Sequence, residues 1–398
     1  MKILYFVQGF PPSIGAAALN SYKIVEFLSK FGHNILVLSP GVFSKTSDFN
    51  DFKWAPNSYV HINYSSTLFK APLNLIISHF ENFFKYILKI KQKFKADLVL
   101  SQYHAYHYAS VAGGYMSKIF KIPHVIRSHD IFFPTYTFSL PFKIFHSLIY
   151  PEIYHSIFNS DIFYVTTSEM KKYYLNFKKL KHINFKIQYN GIDVNKFFPF
   201  KNQEELKDKF GCNTIISFVG QISRDYDLQY IIKILPELLK TYKETHFLII
   251  GSGPYERNLL KFLQNSNLTN KVHLLGIKPH HEIPYFINNS DIGIGRITHD
   301  LIWRYMIPVK CLEYMACMKP FITAPISTDI IKDNDVGLVL KRNFRQKDIL
   351  ESLSFLIEDK NLRMRLGKNG IEKINQKFRW EKIMKDFNND LVQLINRI

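Results

Sequence analysis

The stretch His246-Phe247-Leu248-Ile249-Ile250-Gly251-Ser252-Gly253-Pro254 decides the fold. A short apolar run closed by a glycine- and proline-bearing bend predicts a buried strand that turns directly into a helix. A strand apolar on both faces belongs in a parallel sheet covered by helices on each side. Reading outward, the same unit recurs. Strands are predicted at Ile3–Val7, Asn34–Leu38, His61–Tyr64, Leu98–Ser101, His124–Arg127, Ile162–Thr166 and Lys186–Tyr189. They resume at Ile215–Val219, Val272–Leu275, Ile292–Gly295, Phe321–Thr323 and Gly337–Leu340. Helix-length segments such as Ala16–Phe31 and Ala105–Phe120 lie between them, which gives an α/β, doubly wound architecture.

The strands are too many for one open sheet, and the rhythm breaks at Phe197–Gln203, where a proline and a polar run intervene. Two Rossmann-like domains are therefore expected, 1–198 and 199–379. Trp380–Ile398 forms a last amphipathic helix with Ile383, Phe387, Leu391, Leu394 and Ile395 at helical spacing. A chain of 398 residues with 46% hydrophobic residues is long and apolar enough for two cores and excludes a disordered protein. The net charge of +19 favours anionic partners. Charge spread among aromatics, without a recognisable reading module, argues against nucleic acid. The cysteines Cys212, Cys311 and Cys317 have no metal-ligand spacing, and three cannot all pair, so a reducing, cytoplasmic setting is expected. The opening apolar run is too short for a signal sequence, and no run approaches the roughly 20 apolar residues of a membrane span.

Candidate chemistry lies where strands end. Gly9-Phe10-Pro11-Pro12-Ser13-Ile14-Gly15 leads into the first helix, and Gly15 lets a ligand near that helix's unpaired N–H groups; a tight turn is the equal reading. His129 and Asp130 follow the strand ending at Arg127, the edge at which open α/β sheets bind ligands. His129 is placed to hydrogen-bond a sugar hydroxyl or a backbone group, and Asp130 to orient it or to cap the next segment. Asn190-Gly191-Ile192-Asp193 reads as a turn with positive φ and no chemistry. Gly220 bends the chain where a phosphate can approach, and Arg224 stands close enough to neutralise it. Gly253 serves either such an approach or only a turn. In Arg304-Tyr305-Met306-Ile307-Pro308-Val309-Lys310-Cys311-Leu312-Glu313, Pro308 suits the first helical position, leaving free N–H groups facing a diphosphate. Lys310 adds a charge to that turn. Glu313, one turn on, offers acceptors for the cis hydroxyls of a ribose, or else forms a solvated pair with Lys310.

In order and spacing, "FPPSIGAAA", "IPHVIRSHD", "NGIDVNKF", "FVGQIS", "FLIIGSGP", "VHLLG", "IPYFINNSDIGI", "PVKCLEYMACMKPFI" and "FRWEKI" resemble the retaining glycosyltransferases of family 4, which have the GT-B fold. The resemblance implies an acceptor-binding N-terminal domain, a C-terminal domain that binds a nucleotide-sugar donor, and a last helix crossing back to the first. Glu313 matches the second glutamate of that family's paired-glutamate motif, the one that binds donor ribose; the first falls on Tyr305. The family's phosphate-binding arginine and lysine fall on Gln221 and Tyr226, so Arg224, Arg304 or Lys310 is expected to supply charge, with Gly15, Gly220, Gly253, Pro308 and Val309 shaping the donor site. His129 matches the position beside the transferred sugar and, with Asp130, is the catalytic candidate. The resemblance further implies metal-independent transfer with retention and no cofactor, since the nucleotide sugar is a substrate. A lipid-linked or surface-glycan acceptor is expected. The lysine-rich, aromatic His79–Lys95 reads either as a helix lying on an anionic inner membrane face or as an ordinary packed helix, and the loop Phe132–Phe145 as an acceptor entrance. The altered positions Gln221, Tyr226 and Tyr305 also admit a donor-binding scaffold subunit that supports a partner transferase.

Overall fold

The computed structural model describes residues 1–7, 9–11, 16–40, 59–64, 94–103, 109–129, 131, 151–201, 204–223, 227–332 and 335–397. Gly15, Asp130, Arg224, the loop Phe132–Phe145 and most of His79–Lys95 lie outside them. The chain divides into two compact units, Met1–Tyr189 with Glu381–Ile398, and Asn190–Trp380. The first boundary falls ahead of the expected 198/199 because Asn190–Asp193 is tied into the second unit. Ile192 bridges to Arg379, and Gly191 lies beneath Trp380, where a Cβ would sit 2.5 Å from the indole. Gly191 does not have the positive φ expected of an Asn-Gly turn; it is small because the indole covers it.

The first unit is built on β1 (Lys2–Phe6), β2 (Asn34–Pro40), β3 (Tyr59–Tyr64), β4 (Leu98–Tyr103), β5 (His124–Ser128), β6 (Ile162–Val165) and β7 (Phe185–Ile187). These form a seven-stranded sheet in the order β3-β2-β1-β4-β5-β6-β7, and every pairing is parallel. Leu4 stands in register with Leu36 on one side and Val99 on the other. Helices α1 (Ala16–Lys30), α2 (Ala109–Phe120) and α3 (Ser168–Leu175) accompany the sheet, with Leu4, Leu36, Val99, Ala112 and Met116 in one core. Thr167 starts α3, its Oγ1 accepting from the Met170 N–H at 3.0 Å.

The second unit holds β8 (Thr214–Val219), β9 (Thr245–Ile250), β10 (Val272–Gly276), β11 (Ile292–Ile294), β12 (Phe321–Thr323) and β13 (Leu338–Val339). They form a parallel six-stranded sheet in the order β10-β9-β8-β11-β12-β13. Its helices are α4 (Glu205–Phe210), α5 (Leu228–Ile232), α6 (Leu235–Thr241), α7 (Glu256–Asn265), α8 (Ile283–Asn288), α9 (Val309–Ala316), α10 (Gln346–Glu358) and α11 (Lys360–Lys373). In each unit the strand order reverses beside the first strand, at β1/β4 and at β8/β11, and such a reversal opens a crevice at the carboxyl ends of the strands.

Helix α12 (Trp380–Ile395) buries Ile383, Phe387 and Leu391 as its spacing predicts. It is anchored on the first unit by polar contacts. Asp390 accepts from Tyr164 Oη at 2.7 Å and Lys186 Nζ at 2.5 Å, and Asn388 Oδ1 lies 2.5 Å from His33 Nε2.

Burial holds the imidazoles of His33, His124, His246 and His273 below the ordinary histidine value, His124 down to about 3 and His273 to about 4. A histidine that resists protonation when folded binds fewer protons than in the unfolded chain. Stability is then intact above the unfolded value of 6.5 and is lost as pH falls toward the folded one. Calorimetric Tm should therefore drop steadily between about pH 7 and pH 4. His124→Gln, which preserves a polar partner for Ser101, should flatten part of that slope. An unchanged slope would place the acid sensitivity elsewhere.

Candidate functional site

Three loops of the second unit meet where β8 and β11 end. The one after β8 is pressed against the one after β9. The Gly220 N–H donates to Ile250 O at 3.0 Å, Ile222 N–H to Ser252 O at 3.0 Å, and Tyr255 N–H to Ile222 O at 3.2 Å. A Cβ on Gly251 would stand 1.9 Å from Gly220 O, and one on Gly253 2.2 Å from Ile222 O. Gly251, at φ +139, is further confined to glycine by its backbone. Gly253 is likewise held to glycine by the Ile222 carbonyl oxygen of the neighbouring loop. Gly220, at φ +150, keeps an open bend, and a Cβ there would lie 3.5 Å from Lys310 Nζ.

Helix α9 begins at Val309, not at Pro308. Pro308 is the N-cap, at φ −64 and ψ 125, and no side chain caps the helix. A proline φ fits either position, but ψ is extended, so the first turn starts one residue later than expected. Tyr314 fixes the helix on the sheet: its ring fills the space above Gly293 and its hydroxyl donates to Ser217 O at 2.9 Å.

Lys310 does not stand free at that turn. Its Nζ is 2.7 Å from Asp227 Oδ2 and 4.1 Å from the centre of the Phe218 ring, with only 10% of the side chain exposed. Burial pulls its pKa down, and Asp227 opposes that shift. Arg296, just beyond β11, reaches the same Asp227 oxygen at 3.4 Å while its guanidinium stacks 3.8 Å from the Trp303 ring. Asp227 also accepts the Ile297 N–H at 2.8 Å and holds the left-handed φ of +41. Arg304 is exposed, stacked on Tyr305 and hydrogen-bonded to its hydroxyl.

Glu313 is 5% exposed. Its Oε1 is 2.9 Å from Nε2 of His280, a half-exposed histidine whose ring lies 5.2 Å from that of Phe197. Pairing with Lys310 is thus not what holds Glu313; its partner is a histidine from the segment before α8.

In the first unit, His129 is half-buried, and its Nε2 lies 2.8 Å from Arg127 Nη1. Arg127 is fully buried and donates from Nε to Gln188 Oε1 at 2.5 Å; burial lowers it to about 10. Gln102 links Tyr5 and Ser21 at 2.9 and 2.8 Å. Polar contacts therefore lie under the carboxyl ends of β1, β4 and β5, and Arg127 is the one that reaches the imidazole.

Sequence reasoning missed Asp227, Arg296 and His280. The rule that found His129 also finds Arg296, which likewise follows a strand end; His280 has no comparable signal. Among the described residues no group of three or more histidine, cysteine or carboxylate side chains is arranged to hold a metal, and no helix is long and apolar enough to cross a membrane.

Two family models match the chain, "Glycosyl transferases group 1" over residues 199–373 and "Glycosyltransferase Family 4" over residues 21–196. The chain belongs to the family 4 glycosyltransferases. An uncharacterized glycosyltransferase of Methanocaldococcus jannaschii is 25% identical over 60% of this chain and 60% of its own length, so the match spans less than two thirds of that relative. The alpha-monoglucosyldiacylglycerol synthase of Acholeplasma laidlawii is 21% identical over 93% of this chain and 91% of its own length. Anabaena HepE, solved in complex with UDP, superposes with a TM-score of 0.73 over 99% of this chain and 100% of its own, at 15% identity. The fold is GT-B, two Rossmann-like parallel-sheet units.

Proposed function

We propose that the chain is an active glycosyltransferase that moves a hexose from a nucleotide-sugar donor to a lipid-linked or surface-glycan acceptor, retaining the anomeric configuration without a metal. One observation carries this reading: at the β8/β11 reversal the uncapped start of α9 carries Lys310 and the buried Glu313 within one turn, and Arg296 shares the Asp227 carboxylate with that lysine. That arrangement suits a nucleoside diphosphate. The N–H groups of α9 and the nearby positive charge meet the phosphates, and the Glu313 carboxylate accepts from the ribose hydroxyls. In the transfer the anomeric carbon–phosphate oxygen bond breaks. The acceptor oxygen bonds to the same carbon on the same face, and its proton passes to the departing phosphate oxygen. His129, hydrogen-bonded to Arg127, is the residue assigned to the transferred sugar, and Asp130 and Gly15, outside the described residues, are assigned to the same reaction. Activity at the inner face of the cell membrane fits a lipid-linked acceptor, and the Acholeplasma relative is named for a glucosylated lipid as its product.

The test is turnover. Purified chain, incubated with a panel of nucleotide sugars, should release nucleoside diphosphate slowly by donor hydrolysis and faster with one acceptor class, the product having the donor's anomeric configuration by NMR. EDTA should not slow it. The ion pairing of Lys310 with Asp227, together with Gln221 and Tyr305, favours the scaffold reading as the alternative. Tight nucleoside diphosphate binding with no turnover for any donor and acceptor would select it.

A further inference from the structure

We propose that the first unit docks on an anionic membrane surface through the face made by residues 151–158 and 171–182; this deepens, and rests on, the membrane-face reading given above.

β7 is the last strand in the sheet order, and α3 packs on it and on β6. From Met170 to Lys186 the chain carries six lysines and no acidic residue. Lys186 is paired with Asp390, whereas Lys171, Lys172, Lys178, Lys179 and Lys181 form no ion pair among the described residues. Leu180, 1% exposed, roots a single 3-10 turn (Lys178–Leu180) and leaves Lys178, Lys179 and Lys181 exposed around it. Lys178 and Lys179 line an open groove of about 520 Å³ whose other walls are Pro151, Tyr154 and Phe177. One turn beyond Tyr154, Phe158 is 44% exposed, with its ring edge-on to that of the exposed His182 at 4.3 Å. The acid on this helical stretch, Glu152, is engaged by the Tyr115 hydroxyl at 2.6 Å. The face is therefore cationic without local compensation, and its cations are grouped around aromatic rings. That combination suits a lipid surface. Ammonium groups on long stems stay among the anionic headgroups while the rings enter the boundary with the acyl chains. A soluble polyanion would take up the charge and leave Phe158 in water.

The experiment sediments the full chain with vesicles of phosphatidylcholine alone and of equal parts phosphatidylcholine and phosphatidylglycerol. Wild type should bind the anionic vesicles, release from them as salt is added, and ignore the neutral ones. Lys178→Gln combined with Lys179→Gln should weaken that partitioning roughly 30-fold, the value of two lysines near an anionic surface. Phe158→Ser should weaken it roughly threefold to tenfold, from the apolar area kept out of the lipid. Lys360→Gln combined with Lys368→Gln removes the same charge from exposed positions of the second unit and should bind as wild type. The altered side chains are all exposed, so Tm and donor hydrolysis without vesicles should stay at the wild-type level. Wild-type chain left in solution by the anionic vesicles would overturn the proposal. So would wild-type partitioning of the Lys178/Lys179 variant, or an equal loss in the Lys360/Lys368 variant, which would make net charge and not this face the cause. Tight binding of heparin, with vesicle binding untouched by Phe158→Ser, would overturn it in favour of a soluble polyanion. Vesicle binding through this face by a chain that turns over no donor would leave the docking surface standing and overturn the transferase reading instead.

Discussion

Glu313→Ala should lower kcat/KM for the preferred nucleotide sugar by roughly 100-fold or more, the largest functional loss expected from one side chain. A carboxylate accepting from a ribose hydroxyl makes a charge-assisted bond worth about 1.5–3 kcal/mol, so two such bonds correspond to at least about 100-fold. Both KM and kcat should respond, because binding energy from the remote nucleoside helps to hold the reacting sugar in place. Glu313→Gln keeps one acceptor oxygen and should lose about tenfold, in line with the charge-assisted part of the bond. His280→Ala separates positioning from binding. Its Nε2 lies 2.9 Å from Oε1, so removing it leaves a carboxylate that is only 5% exposed without that donor and free to rotate, and KM should rise while the nucleoside ring is still recognised. Each variant should be melted alongside the wild type. Wild-type kinetics from a folded Glu313→Ala would place the donor pocket elsewhere in the chain.

The elements were legible because parallel strands buried on both faces have to be near-continuous apolar runs, and Ile215–Val219 or Phe321–Thr323 can be read from composition alone. The site was legible only where its parts are local. Pro308, Lys310 and Glu313 share one helix, and even there the start was misjudged by one residue, since proline's fixed φ does not report ψ. Asp227, Arg296 and Lys310 come from three separate elements, and nothing in their spacing announces that they meet. The same holds for Gly253. A glycine in a bend reads as room for a ligand or as a turn, and neither reading announces Ile222 O, which lies in a loop that only the strand order brings alongside.

The largest stability effect should come from Asp227→Asn. Asparagine tolerates the left-handed φ of +41 and keeps an acceptor for the Ile297 N–H, so the substitution removes little except the charge. Lys310, its side chain 10% exposed, is then left without its carboxylate, and breaking a buried pair in this way costs about 3–5 kcal/mol. The cost has a ceiling. Lysine can shed its proton instead, and moving from the ordinary value of 10.5 to neutral pH costs about 5 kcal/mol at roughly 1.4 kcal/mol per unit. That ceiling also fixes the sign of the pH dependence. In the variant the folded state binds fewer protons than the unfolded chain below pH 10.5, so its stability deficit should shrink as pH rises from about 7 toward 10. Adding Lys310→Met removes the stranded ammonium while filling its space over Phe218, and the double variant should recover most of the lost Tm. A double variant no more stable than Asp227→Asn alone would mean that the carboxylate acts through Arg296 and the loop backbone and not through the lysine.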